Sequence, residues 1–294
     1  MSPRASHQLV TLVAAVVLGA GAIACGSDDE GVSDKEVFGD STKPDAASRQ
    51  PVIEDHFDVG AHRLYLKCTG SGSPTVVYLH GSVRQEGDPG HERAARVPSL
   101  LDGRRRVCVY DRANVGRSDS VPGRLTGKDS ARDLHALLGS AGIKGPYVLL
   151  GASLGGAISD LYAAAYPKDV AGMVLLDSTL PTYLDIYEQL FPPASGPQPG
   201  EWKGEAEHLD RLATFRQAGE VQGQRRKIPV TYVAAALSLP PKIEVAIRRA
   251  QRAFVARFSP GRMIVVDAPH HMAPVIPERI AREVERVIAA AKRR

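Results

Sequence analysis

The chain has 294 residues, 43% of them apolar and 24% charged, enough to bury one sizeable core in the manner of an ordinary globular protein. Its formal net charge is +4, with 37 Lys and Arg residues scattered among 33 carboxylates rather than gathered into a stripe. That distribution is a solvated surface and argues against nucleic acid as a partner.

The first residues read as an address. Arg4 precedes an uncharged run over residues 9–24 that ends in Gly21-Ala22-Ile23-Ala24-Cys25. This is a positive start, an apolar stretch and small residues at a processing point, so residues 1–24 are expected to be a signal peptide; the run is short for a membrane span. Ala22-Ile23-Ala24-Cys25 also resembles the lipobox of bacterial lipoproteins, although Ala22 stands where that motif usually has Leu. In such proteins the cysteine is lipidated and becomes the mature first residue. Cys25 is therefore the expected lipidation site, with plain secretion as the alternative. On either reading the protein is exported; with Cys25 lipidated, its membrane contact is a lipid anchor on the outer face of a bacterial cell membrane, and otherwise it is secreted. Residues 26–50 are rich in Asp, Ser and Gly and have no apolar period; such a segment cannot bury enough to order itself, so 25–50 reads as a disordered tether before a folded domain at 51–294.

Within that domain, strand-like runs follow one another: "HRLYLKC", "TVVYLHG", "RRVCVYD", "PYVLLGAS", "GMVLLDS", "IPVTYVAAA" and "RMIVVDA". Cys68 and Cys108 each fall inside one of them. In an oxidising compartment they make one possible disulfide, while as buried thiols they serve equally well as small core residues. Amphipathic segments separate the strands. In "SARDLHALLGSAG" Leu134, Leu137 and Leu138 share a face, and in "PERIAREVERVIAAAKRR" Ile280, Val284, Val287 and Ile288 do the same. Near-continuous apolar strands alternating with helices imply an α/β fold: a mainly parallel sheet covered by helices on both faces. Residues 178–227 break the alternation with "FPPASGPQPG", Trp202 and the helical stretch "EAEHLDRLATFRQAGEV". A connection of this length is expected to form a small cap.

The chemistry centres on Gly151-Ala152-Ser153-Leu154-Gly155, placed where a strand turns into a helix. G-x-S-x-G in that context is a nucleophile elbow, with glycines making room for a strained turn that lifts the serine Oγ clear of the sheet. The string alone is cheap, as the near miss Gly116-Arg117-Ser118-Asp119-Ser120 shows, so the strand and helix around it carry the reading. The N–H of Leu154 would face the reacting oxygen. The strand "VVYLHGS" ends in a sharp turn from which Ser82 can direct a second N–H to the same place.

In the order in which these features occur, with "CTGSGSPTVV", "YDRANVGRSD" and "PHHMAPVIP", the chain over about residues 55–290 resembles the α/β-hydrolase fold, and most of all its secreted bacterial members. Asn114 departs from the usual Gly and would need a left-handed backbone. The resemblance implies a disulfide, because the strands carrying Cys68 and Cys108 lie side by side in that fold. It selects His270 over His271 as the base, since the family spacing is His, six residues, then Pro, here Pro277. The usual carboxylate follows the strand "IPVTYVAAA", but Ser238 occupies that place. Some members take the acid from the strand next to the nucleophile's, which makes Asp177 the candidate, with Glu244 as a second. The expected activity is hydrolysis of a small-molecule carboxylic ester through an acyl-enzyme on Ser153, with no metal or organic cofactor. The alternatives are an amide or peptide hydrolase of the same fold and a binding lipoprotein that has lost catalysis.

Overall fold

Eight strands form one sheet in the order β1-β2-β4-β3-β5-β6-β7-β8. The computed structural model describes residues 52–83, 87–190, 207–236 and 241–293. The strands are β1 (Ile53–Asp58), β2 (Arg63–Thr69), β3 (Thr75–Leu79), β4 (Val107–Tyr110), β5 (Tyr147–Ala152), β6 (Val170–Leu176), β7 (Val230–Ala235) and β8 (Gly261–Val266). β1 and β2 pair antiparallel, as do β2 and β4, and the remaining pairings are parallel. The helices are α1 (Val97–Leu101), α2 (Gly127–Ser140), α3 (Leu154–Ala165), α4 (Thr182–Leu190), α5 (Arg211–Glu220), α6 (Pro241–Val255) and α7 (Pro277–Lys292). The mainly parallel sheet with both faces covered, expected from the sequence, is the fold the chain adopts.

Alternation along the strands explains why the apolar runs are continuous. On β3, Val77 and Leu79 face a core shared with Leu134, Leu137 and Leu138 of α2 and Ile158 and Leu161 of α3. Val76 and Tyr78 face the opposite way, toward Val97 and Leu101 of α1 and Ile280, Val284, Val287 and Ile288 of α7. Both faces are dry, so the central strands carry no charged residue and are apolar along most of their length. β1 was not visible in the sequence. Its IEDHFD is an edge strand with one partner, and Glu54 and Asp55 lie in water, so it lacks the apolar run that marks the others.

Helix ends follow local chemistry. Thr126 caps α2 by accepting from the Asp129 N–H while the Asp129 carboxylate accepts from the Thr126 N–H, a reciprocal capping box. α7 has Pro277 at its first position and Lys292 in its last turn. The insertion between β6 and β7 contributes α5 to the body of the protein. α5 packs on α2 and α3, and its Thr214 and Phe215 are buried. The described part of the predicted cap thus holds two helices, α4 and α5, of which α5 lies against α2 and α3 on one face of the sheet, while residues 191–206, Trp202 among them, lie outside the described residues.

Candidate active site

β5 runs directly into α3, and Ser153 sits at the junction as the residue before the helix, with φ 50° and ψ −117°. A non-glycine residue held there stores on the order of 1–3 kcal/mol of backbone strain. The surrounding hydrogen bonds enforce it. The Ser153 N–H donates to the Leu176 carbonyl at 2.9 Å, and the Ser153 carbonyl accepts from Gly156 at 3.0 Å and from Thr179 at 3.3 Å. The two flanking glycines are required by space. A Cβ on Gly155 would collide with the Leu79 carbonyl oxygen, and one on Gly151 would stand 2.8 Å from the Gly155 carbonyl oxygen. Neighbouring backbone approaches this closely only where side chains are absent.

The side chain so presented meets a histidine. His270 Nε2 lies 3.0 Å from Ser153 Oγ, and His270 Nδ1 lies 2.7 Å from Asp177 Oδ2. The three residues come from three places: the end of β5, the residue after β6, and the loop between β8 and α7. Parallel strands bring all of these to one sheet edge. Asp177 also has a left-handed backbone, with φ 40°. Its N–H donates to the Val233 carbonyl at 2.7 Å, and its Oδ1 accepts from the Ala235 N–H at 3.2 Å. Two hydrogen bonds to β7 therefore fix the carboxylate before it meets the imidazole.

Opposite Ser153 lies the turn after β3. A Cβ on Gly81 would stand 3.2 Å from Ser153 Cβ, so the Gly81–Ser82 backbone lies against the serine. Leu154 is the first residue of α3, where N–H groups have no partner within the helix. The turn is held from behind by Arg112, which follows β4. Its Nη1 donates to the His80 carbonyl at 2.8 Å, its Nη2 donates to the Gly81 carbonyl at 2.9 Å, and its Nε bonds Glu207. Glu207 Oε2 accepts from the Val83 N–H at 3.2 Å. Arg112, Glu207 and His80 are all buried. Burial, and then the charge of Arg112, hold the His80 imidazole well below its ordinary range, so it is neutral. Its Nε2 accepts from the Arg112 N–H at 3.4 Å, which leaves the proton on Nδ1 for the Gly81 carbonyl at 2.7 Å.

Sequence reasoning missed Arg112 and Glu207. Arg112 stands in "YDRAN" at the end of a strand, and that position was a signal. Glu207 lies 95 positions away in a polar stretch of the insertion and offered none. Asn114 has φ 64°, the left-handed backbone expected of it. Its side chain carries that turn, donating to the Glu207 carbonyl and accepting from the Val121 N–H.

The remaining sequence candidates fall elsewhere. Glu244 is in the first turn of α6 and pairs with Arg248 at 3.6 Å. The His271 ring packs edge-to-face with that of His270, with centroids 5.2 Å apart. Ser238 and Cys25 lie outside the described residues, as do the predicted leader at 1–24 and the tether at 25–50. Cys68 and Cys108 stand opposite each other on β2 and β4 and form a disulfide. Among the described residues, no three His, Cys, Asp or Glu side chains form a group that could hold a metal ion. Among them, too, no helix is long and apolar enough to cross a membrane.

Comparison with known proteins agrees with this architecture. A Saccharomyces cerevisiae protein described as an uncharacterised vacuolar membrane protein is 33% identical over 128 residues, covering 42% of this chain and 19% of that protein. A 2-hydroxy-6-oxononadienedioate/2-hydroxy-6-oxononatrienedioate hydrolase of Paraburkholderia phymatum is 35% identical over 118 residues, 39% of each chain. The chain thus spans well under half the length of these curated relatives. Among solved structures, a thermophilic esterase from Thermogutta terrifontis superposes with a TM-score of 0.57 at 19% identity, covering 82% of this chain and 99% of that one. That likeness speaks to the fold. The sequence profile of the alpha/beta hydrolase fold family matches residues 74–236, more than half of the chain, and the protein belongs to that family.

Proposed function

We propose that the protein is an exported serine hydrolase that cleaves carboxylic esters. The observation that carries this reading is the unbroken line from Asp177 through His270 to Ser153, at 2.7 and 3.0 Å, on a strained elbow at the edge of the sheet. Ser153 Oγ attacks the acyl carbon while His270 Nε2 takes its proton. Asp177 accepts the Nδ1–H, fixes the tautomer and stabilises the imidazolium as it forms. Charge that develops on the carbonyl oxygen is met by the N–H groups of Ser82 and Leu154. His270 returns the proton to the leaving alcohol, and water then releases the acid by the same steps in reverse.

Export is supported by the leader-like residues 1–24 and by the Cys68–Cys108 disulfide, which belongs to oxidising compartments. Cys25 is the proposed site of the lipid anchor, and mass spectrometry of the mature chain tests it. A mature protein beginning elsewhere and carrying no lipid would remove the anchor. The insertion has no long apolar run, which points to small or medium acyl groups.

The test of the whole reading is labelling with a fluorophosphonate, which reacts only with an activated serine. Wild type is expected to be labelled at Ser153 and to hydrolyse nitrophenyl acetate. A wild type that takes up no label and turns over no ester would overturn the enzyme reading and favour a binding protein.

A further inference from the structure

The turn that carries the Ser82 N–H is fixed by side chains at every carbonyl. Arg112 Nη1 holds the His80 carbonyl, Arg112 Nη2 and His80 Nδ1 hold the Gly81 carbonyl, and Arg93 Nη1 holds the Ser82 carbonyl at 3.2 Å. The Val83 N–H is held in turn by Glu207 Oε2. A trans peptide is planar, and its C=O and N–H point in opposite directions. With the Gly81 carbonyl pulled back onto Arg112 and His80, the Ser82 N–H of the same peptide must point the other way. Ser153 lies against this same turn, its Cβ 3.2 Å and its Oγ 3.9 Å from where a side chain on Gly81 would begin.

We infer that the buried Arg112–Glu207 pair is a positioning device that aims the Ser82 N–H at the oxyanion. The inference rests on the ester-hydrolase reading. It gives the insertion between β6 and β7 a task in catalysis, because Glu207 is the insertion's contact with Arg112 and with the turn after β3. Neither residue touches substrate. Arg112 acts through two carbonyls, and Glu207 acts by orienting the guanidinium and by holding the Val83 N–H. The planar fork of an arginine suits this work, since one side chain must reach two adjacent carbonyls and a carboxylate together.

Removing one partner would leave the other charged and buried, so the informative variant removes both: Arg112→Met with Glu207→Met. The fraction of competent molecules is counted by end-point titration of Ser153 with a fluorophosphonate, and kcat is expressed per titrated site. Loss of one oxyanion donor lowers kcat on the order of 10²-fold. We expect a fall of that size with KM little changed and the position of the His270-dependent limb of the pH profile unmoved. A purely structural role would instead lower the titrated fraction and leave kcat per site intact. Arg112→Lys keeps the buried charge balance but reaches one carbonyl instead of two, and should show an intermediate loss even if the double variant does not fold. Wild-type kcat per titrated site in either variant, or an effect confined to KM, overturns the inference. If wild type itself is not titrated, the hydrolase reading fails, and a crystal structure of the double variant judges the device alone. A rotated Gly81–Ser82 peptide upholds it, and an unchanged one overturns it.

Discussion

Two of the His–Asp pairs among the described residues are built alike at the level of atoms, with Nδ1 close against a carboxylate oxygen. His270 Nδ1 lies 2.7 Å from Asp177 Oδ2, and His91 Nδ1 lies 2.9 Å from Asp111 Oδ2. They differ in what surrounds them. His270 keeps 26% of its side chain exposed, and its far nitrogen meets Ser153 Oγ. His91 is buried against the Tyr65 ring, with centroids 4.8 Å apart, and its far nitrogen stands 4.0 Å from a Glu92 carboxylate oxygen. Asp111 is fully buried and also accepts from the backbone N–H groups of His91 and Arg117. A pair of this kind becomes a catalytic base only when the second nitrogen faces a nucleophile that substrate can reach. Otherwise it ties two segments together, here the 3₁₀ turn Gly90–Ala94 and the loop after β4.

The comparison breaks most sharply at the nucleophile. Ser153→Ala should lower ester turnover by a factor on the order of 10⁶, and His270→Ala by about as much, with the double variant no worse, because the two act as one unit. Native circular dichroism must accompany the loss, since neither side chain carries much packing. Turnover retained in a folded Ser153→Ala protein would exclude that serine.

Next in size is the acid. Asp177→Asn leaves the shape of the site but removes the charge and the tautomer control, which costs about 10⁴ in kcat in the serine-protease template. KM should change little. Retention of most activity would reduce the site to a dyad of Ser153 and His270.

At the other pair the same kind of change should appear as stability. Asp111→Ala strands the His91 N–H, the His91 ring and the Arg117 N–H in a buried site, so unfolding free energy should drop by about 3 kcal/mol. Turnover per titrated Ser153 should stay near wild type, measured alongside denaturant unfolding. A large loss of kcat with unchanged stability would show that the two pairs are not divided as the geometry suggests.

The sequence made the architecture legible wherever burial repeats with a period. The central strands announce themselves because both of their faces are dry, and α2 and α7 because their apolar residues return every three or four positions. Gly151 and Gly155 could be read as the space for a strained turn, since their absence of side chains is a local fact. β1 escaped notice because an edge strand with one wet face has no such run. Arg112 and Glu207 escaped for a different reason. Their meaning lies in a contact between segments 95 residues apart, and neither periodicity nor composition reports a pair. The same holds for the Asp111–His91 tie, whose two residues are ordinary polar positions until the chain folds.

The smallest expected effect belongs to Glu244, the other carboxylate that the sequence allows as the acid. It follows β7, where this fold commonly places that residue, so its exclusion has to come from geometry. α6 begins at Pro241, which puts Glu244 on a helix rather than on a loop able to reach His270, and its Oε1 faces Arg248 at 3.6 Å one turn along. An i,i+4 pair with the glutamate on the N-terminal side contributes about 0.3–0.5 kcal/mol, and an acidic group in the first turn adds a similar amount through the helix dipole. With 39% of the side chain exposed, solvent screens both. Glu244→Gln should therefore shift the melting temperature by about 1–2 °C and leave kcat unchanged across the pH profile. Arg248 would not be released, because its Nη2 also donates to the Ala235 carbonyl at 2.7 Å and its Nη1 to Gln251 at 3.0 Å. If Glu244→Gln lost activity on the scale expected of Asp177→Asn while Asp177→Asn did not, the acid would have to reach His270 by a rearrangement of the start of α6, and the contrast between the two His–Asp pairs would lose its catalytic member.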